Sequence, residues 1–262
     1  GYAGWGLERQ MAIDVIPILA DGIKWLGFLP KSRLIYNVGV YGDWLSQGQS
    51  FSTYDWQAAV RFAWLPVYEP KQNTVLHLGT SLRIGQIDGG TIRVRSRPEV
   101  NPAPYFVDTG KFQSGRSSHY GLEAYYSAGP WMFGTEYYWH RFNSPTQANP
   151  TFQGGEFMAS FMLTGESRPY NTVSGIYGFV PVRNPVSKGG WGTWEAVFRV
   201  TRLDLDDGKV MGGKLWRVTP MINWYLTDNL RLEMAYGYGV MDRFSLTGAT
   251  HFYQARIQFI VL

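Results

Sequence analysis

An all-β chain, with strands forming a transmembrane antiparallel β-barrel, is the fold class that this sequence predicts. Three observations carry the prediction. Hydrophobic side chains recur with a period of two along most of the chain, so one face of each segment is apolar and the other polar or small. Most segments run about 10 residues, matching the 9–11 that a tilted strand needs to cross a bilayer. Aromatic residues gather near segment ends, as in interfacial girdles: Trp131 and Trp139, Trp191 and Trp194, Trp216 and Trp224, Tyr236 and Tyr238.

Residues 1–32 lack clean alternation and are expected to be a loop entering the first strand. Strands are then expected at about 33–45, 55–65, 74–85, 91–97, 118–127, 130–141 and 154–165. Further on, Trp194, Ala196, Phe198 and Val200 alternate with Glu195, Val197, Arg199 and Thr201. Trp216, Val218, Ile222 and Trp224 oppose Arg217, Thr219 and Asn223. Leu230, Leu232, Met234, Tyr236, Tyr238 and Val240 oppose Arg231, Glu233, Ala235, Gly237 and Gly239. The last segment sets Tyr253, Ala255, Ile257 and Phe259 against Gln254, Arg256 and Gln258. The total is about eleven strands.

The connections assign direction. SAGP (127–130) and LTDN (226–229) are tight turns of the periplasmic kind. With the last strand running down into the periplasm, 214–226 runs down, 229–241 runs up, and 91–97 runs up. Residues 98–117 and 142–153 become external loops. The stretch 166–190 falls on the periplasmic side, where a long segment is expected to fold into the lumen.

Composition agrees with a barrel. Charged residues are 17% and aromatics 16%, and there are 31 glycines and no cysteine. The missing cysteine excludes disulfides and thiolate metal sites. A net charge of +4 does not mark a nucleic-acid binder. No run of about 20 apolar residues offers a spanning helix. The alternative for the same alternation is a soluble β-sandwich, or a carbohydrate-binding sheet, with the aromatic face as core or contact surface.

TIRVRSRPEV (91–100) carries the sharpest chemical signal. Arg93, Arg95 and Arg97 share one face, with Ile92 and Val94 on the other. A charge at mid-bilayer on the lipid face costs about 2–4 kcal/mol, so the arginines are expected to face the lumen and Ile92 and Val94 the lipid. Closely spaced guanidinium groups attract anions, stay charged and bind phosphate oxygens through two hydrogen bonds. Arg83 and Arg61 lie on polar faces of the two preceding strands, and Arg116 is expected to extend the row beyond the external loop. The competing role is bracing, with lumen arginines paired to Glu123, Glu136 or Glu195.

Nothing points to an enzyme. No G-x-S-x-G elbow is present, and His77, His119, His140 and His251 form no H-E-x-x-H pattern. His119 with Glu123 is the one pair that resembles a dyad. No cofactor is expected.

The chain resembles the phosphate-selective porin O/P family of Gram-negative outer membranes. GLER (6–9), RLIYNVGVYGDW (33–44), RSRPEV (95–100), FMLTGESRPYNTVSGIYGFVPVRNP (161–185) and INWYLTDNLRLEMAYGY (222–238) carry the likeness. The resemblance implies a 16-stranded porin assembling as a homotrimer, with a ladder of arginines leading phosphate or similar small anions along the pore. It further implies outer-membrane localisation, contact with membrane lipid and lipopolysaccharide, and no nucleic-acid partner. On this reading the chain is one barrel domain, the C-terminal two-thirds of its family's length. Residues 1–32 would then be the inward-folding constriction loop and 33–262 barrel strands and loops. The constriction's first basic residue matches Arg9; the second, expected about a dozen positions later, is replaced by IDVIPILADGIK, where only Lys24 is basic. The C-terminal FIVL also departs from the family's terminal aromatic.

Overall fold

A computed structural model describes residues 6–16, 19–46 and 53–260. Eleven antiparallel strands form one continuous sheet. In sheet order these are β1 (Asp21–Leu29), β2 (Leu34–Gly42), β3 (Tyr54–Glu69), β4 (Thr74–Ile87), β7 (Arg116–Ala128), β8 (Trp131–Asn143) and β9 (Thr151–Met162). They continue with β12 (Thr193–Asp207), β13 (Val210–Thr227), β14 (Leu230–Arg243) and β15 (Leu246–Phe259). Two small hairpins stand apart from the sheet: β5 (Thr91–Ser96) with β6 (Val107–Gln113), and β10 (Tyr170–Asn171) with β11 (Ile176–Tyr177).

The count of eleven agrees with the alternation, but its membership differs at two places. Residues 91–97 do not cross with the others. β4 pairs directly with β7, Thr74 opposite Ala128, and β5 pairs only with β6. The missing strand is β1, within the region expected to be a loop. Asp21, Lys24 and two glycines blur its pattern, yet Ile23 and Trp25 are exposed on one face and Phe28 packs inward. With the turns assigned as above, this exchange reverses the expected directions of β2, β3 and β4: β4 then runs up, and 88–115 takes the place of a single external loop. Residues 1–5 and 17–18 of the expected loop, and Val261 and Leu262 of FIVL, lie outside the described residues.

The two faces are inverted relative to a soluble sheet. Val40, Phe62, Leu82, Leu122, Phe133, Phe157, Phe198, Met234 and Ile257 are exposed, while Glu195, Arg217, Asn223 and Glu233 are fully buried on the opposite face. An apolar surface running over every strand is far larger than a soluble monomer tolerates, and it fits a lipid-facing wall around a polar interior. Aromatic pairs mark both rims. Trp194 stacks on Trp224 at 4.8 Å near the periplasmic ends, and Tyr120 on Trp139 at 5.6 Å near the external ends. Replacing Met234, mid-strand on this surface, with Arg is expected to destabilise the folded protein in lipid vesicles by about 2–4 kcal/mol in urea unfolding.

Three segments fill the polar face: residues 6–16, the β5–β6 hairpin, and the periplasmic stretch 163–192 that holds β10 and β11. Ile92 and Val94 do not meet lipid as expected. They are buried with Met11, Ala12, Val107, Leu203 and Leu215 in an apolar cluster inside the sheet. The periplasmic stretch does fold inward. Tyr170 bonds His77 of β4, and the Tyr177 hydroxyl donates to Ser127 of β7 at 3.1 Å.

Candidate pore interior

Wall arginines hold the inner segments by their backbone carbonyls. Arg61 Nη1 and Nη2 donate to Ser174 O at 3.2 Å and Gly175 O at 2.9 Å, while its Nε bonds Glu123 at 2.6 Å. Arg199 Nη1 donates to Glu8 O at 2.9 Å and its Nη2 pairs with Glu99 at 2.6 Å, so one side chain grips both residues 6–16 and the end of the hairpin loop. Arg217 donates to Pro98 O and, at 2.8 Å, to Gln254. Arg256 donates to Leu7 O and pairs with Glu233 at 2.6 Å. The glycines of the polar face make room for these groups. A Cβ at Gly237 would collide with the Arg217 guanidinium, and one at Gly79 with the Glu123 carboxylate.

Between these clamps lies a cavity of about 860 Å³. Arg9, Arg61, Arg199 and Arg256 line it together with Glu8, Glu123, Glu136 and Glu156. Four cations against four acids give this part of the interior no formal excess of positive charge. Glu136 is held by Gln10 at 2.8 Å and by the hydroxyls of Tyr125 and Tyr138. The dyad-like pairing of His119 with Glu123 is absent from the bonds formed here: His119 Nδ1 meets His140 Nδ1 at 2.8 Å, and Glu123 takes Arg61 and His77.

The excess of cations lies on the hairpin. Burial of Ile92 and Val94 turns Arg93 and Arg95 to the exposed face of β5. The Arg95 and Arg97 guanidiniums lie over the Tyr105 ring at 3.9 and 4.1 Å, and Arg97 Nε also donates to Ala103 O at 2.8 Å. Arg93 grips Asp108 with both Nε and Nη2, and that bond holds the Asp108 carboxyl below its ordinary range. Lys111, directly across from Arg93 and exposed, joins the same face. Of these four cations only Arg93 is bonded to a carboxylate among the described residues. Lys111 carried no periodic signal, because only the register of β5 on β6 sets it beside Arg93. Tyr105 likewise lies in the irregular loop between them.

The remaining sequence candidates separate. Arg9 is exposed near the hairpin, close enough for its charge and that of Arg97 to act on Asp14. Burial raises the Asp14 carboxyl, and the Ser96 hydroxyl, donating to it at 2.7 Å, opposes that shift. Arg83 bonds Gln57 at 2.6 Å and lies 4.4 Å over Tyr54, braced into the wall. Lys24 is exposed on β1, an edge strand, opposite Gly39 and on the same inner side as Phe28. Arg116 does not extend the row. Its neighbours Ser117 and His119 are buried on the inner face, so Arg116 points outward at the external rim.

Comparison with known proteins follows the same lines. Residues 29–260 match the model of a family described as phosphate-selective porin O and P. An uncharacterised protein of Caulobacter vibrioides is 34% identical over 177 residues, covering 65% of this chain and 35% of that protein. The chain thus spans about a third of the length of the curated relative it matches. Among solved structures, OmpT of Vibrio cholerae, an outer membrane protein in its trimer form, superposes with a TM-score of 0.50 at 10% identity, covering 98% of this chain and 70% of that one. At that identity the likeness concerns the fold alone.

Proposed function

Because the chain belongs to the phosphate-selective porin O and P family of the Gram-negative outer membrane, we propose that the whole protein forms an anion-preferring diffusion channel for phosphate or similar small anions. The fold and family are those of channel proteins rather than enzymes. The observation that carries the anion preference is the hairpin face, where Arg93, Arg95 and Lys111 are exposed and Arg97 half-buried beside them, and where Asp108, held by Arg93, is the one carboxylate bonded to any of the four among the described residues. Such a surface concentrates anions and repels cations. Arg9 adds to it, whereas Arg61 and Arg83 brace the wall and inner segments.

The two sheet edges support a larger barrel. Among the described residues β1 pairs only with β2, and β15 only with β14. Lipid leaves no backbone donor unsatisfied, so these edges fit a larger barrel in the whole protein, such as the 16-stranded one that the resemblance implies. A homotrimer is part of the same reading. The competing reading is a plugged barrel, favoured by the tight packing of the inner segments and by the balanced charges of the cavity.

Bilayer recording under a KCl gradient tests the proposal. A chloride-directed zero-current potential, with current blocked by added phosphate, is expected of the full-length protein. Absence of channels would favour the plug, and cation preference would overturn the reading. Asp108→Asn removes the carboxylate that offsets Arg93 and is expected to make the potential more anion-directed. An unchanged potential would take the hairpin out of the permeation path, and a shift the other way would overturn the charge argument.

A further inference from the structure

The outward turn of Arg116 places it beside a second outward arginine. On β8, His140 and Phe142 are buried, so Arg141 between them faces out. Arg116 lies opposite Asn143 and Ser118 opposite Arg141, which makes the two arginines diagonal neighbours across adjacent strands, about 7–8 Å apart at Cα. Like charges so placed repel, and among the described residues neither guanidinium has a hydrogen bond or an acidic partner. Arg202, another outward arginine near the external rim, differs: Asp204 pairs with it at 3.4 Å.

The pair lines a groove of about 430 Å³ together with Asn143, Asn149, Trp56 and Ile84. The two amides add neutral donors. Trp56 and Ile84 are exposed and apolar. Immediately below, the stacked Tyr120 and Trp139 mark the membrane interface. The guanidiniums therefore sit at headgroup depth on the external side, above lipid tails.

We propose that this groove binds a phosphate-bearing lipid headgroup of the outer leaflet. The phosphate would bridge Arg116 and Arg141 through charge-assisted bonds, and the acyl chains would descend over Trp56 and Ile84. This site faces away from the lumen and does not depend on the channel's selectivity.

Native mass spectrometry of the full-length protein in detergent, titrated with bisphosphorylated lipid A, is the test. Retention is expected to weaken about tenfold or more in Arg116→Gln/Arg141→Gln, the loss of at least one charge-assisted bond. Dephosphorylated lipid A should bind the unaltered protein as weakly, and Arg202→Gln should change nothing. Equal retention by the double variant overturns the proposal. So does an equal loss in Arg202→Gln, which would indicate general surface charge. Displacement of the lipid by millimolar inorganic phosphate would also overturn it, assigning the groove to a free anion. Should the double variant fail to fold, photoactivatable lipid A on the unaltered protein must label the external rim of β7 and β8; labelling confined elsewhere overturns the proposal.

Discussion

Replacing Arg93, Arg95 and Arg97 together by Ala is expected to lower the anion-to-cation permeability ratio about fivefold or more. A charge within about 4 Å of an ion contributes about 1 kcal/mol even in water-like surroundings, and the triple variant removes three of the four cations on the hairpin face. The single changes should be unequal. Arg93 is already offset by Asp108, so Arg93→Ala alone also frees a carboxylate. Arg95 and Arg97 are held over Tyr105 with no carboxylate bonded to either among the described residues, so Arg95→Ala/Arg97→Ala removes positive charge without freeing a bonded carboxylate. Zero-current potentials of the three variants under one KCl gradient settle the order. Potentials indistinguishable from the unaltered protein would mean that ions do not pass this face.

Arg199→Ala is the second change with a large expected effect. The Arg199 guanidinium is buried, pairs with Glu99 at 2.6 Å, approaches Glu156 at 4.0 Å and holds Glu8 O at 2.9 Å. Removing it leaves the Glu99 carboxylate unpaired inside the protein, a loss of about 3–5 kcal/mol when one partner of a buried pair is deleted. It also releases residues 6–16 and the hairpin loop from the same stretch of wall. A lower urea midpoint and a larger, noisier single-channel conductance are both expected. A lower midpoint with unchanged conductance would show that these segments stay in place without the clamp. An unchanged midpoint would mean that the pair contributes nothing net.

The extent to which the pore was legible in the sequence differs from residue to residue. The strands β7 to β15 of the main sheet follow the alternation closely, because lipid on one side and a polar interior on the other impose opposite chemistries on successive residues. β1 escaped because Asp21 and Gly27 interrupt the outward apolar face of Ile23, Trp25 and Leu29, while Leu26 and Phe28 make the other face apolar as well. The 91–97 segment misled for the opposite reason. Its alternation is clean, but Ile92 and Val94 pack on Met11, Ala12 and Leu203 instead of lipid. A period of two reports that one face is buried in something apolar; it does not report whether that is membrane or protein.

The site shows the same division. The exposed row of Arg93 and Arg95 follows from local geometry alone, since the side-chain period of a strand is the same in a hairpin as in a barrel wall. The wall arginines Arg199, Arg217 and Arg256 stood out in no motif, because their partners are carbonyls of Glu8, Pro98 and Leu7, far away in the chain. Arg116 lies on the opposite face from the one expected, because β7 already begins at Arg116 and its period of two from buried Ser117 and His119 carries Arg116 outward. The sequence by itself determined the fold class, the apolar exterior, the periplasmic turns and the spacing of the hairpin arginines, all consequences of interactions within a few residues. Only the tertiary structure decided which alternating segments join the sheet, which arginines stay exposed and which are consumed as clamps. Those outcomes depend on strand register and on carboxylates and carbonyls brought together from distant parts of the chain.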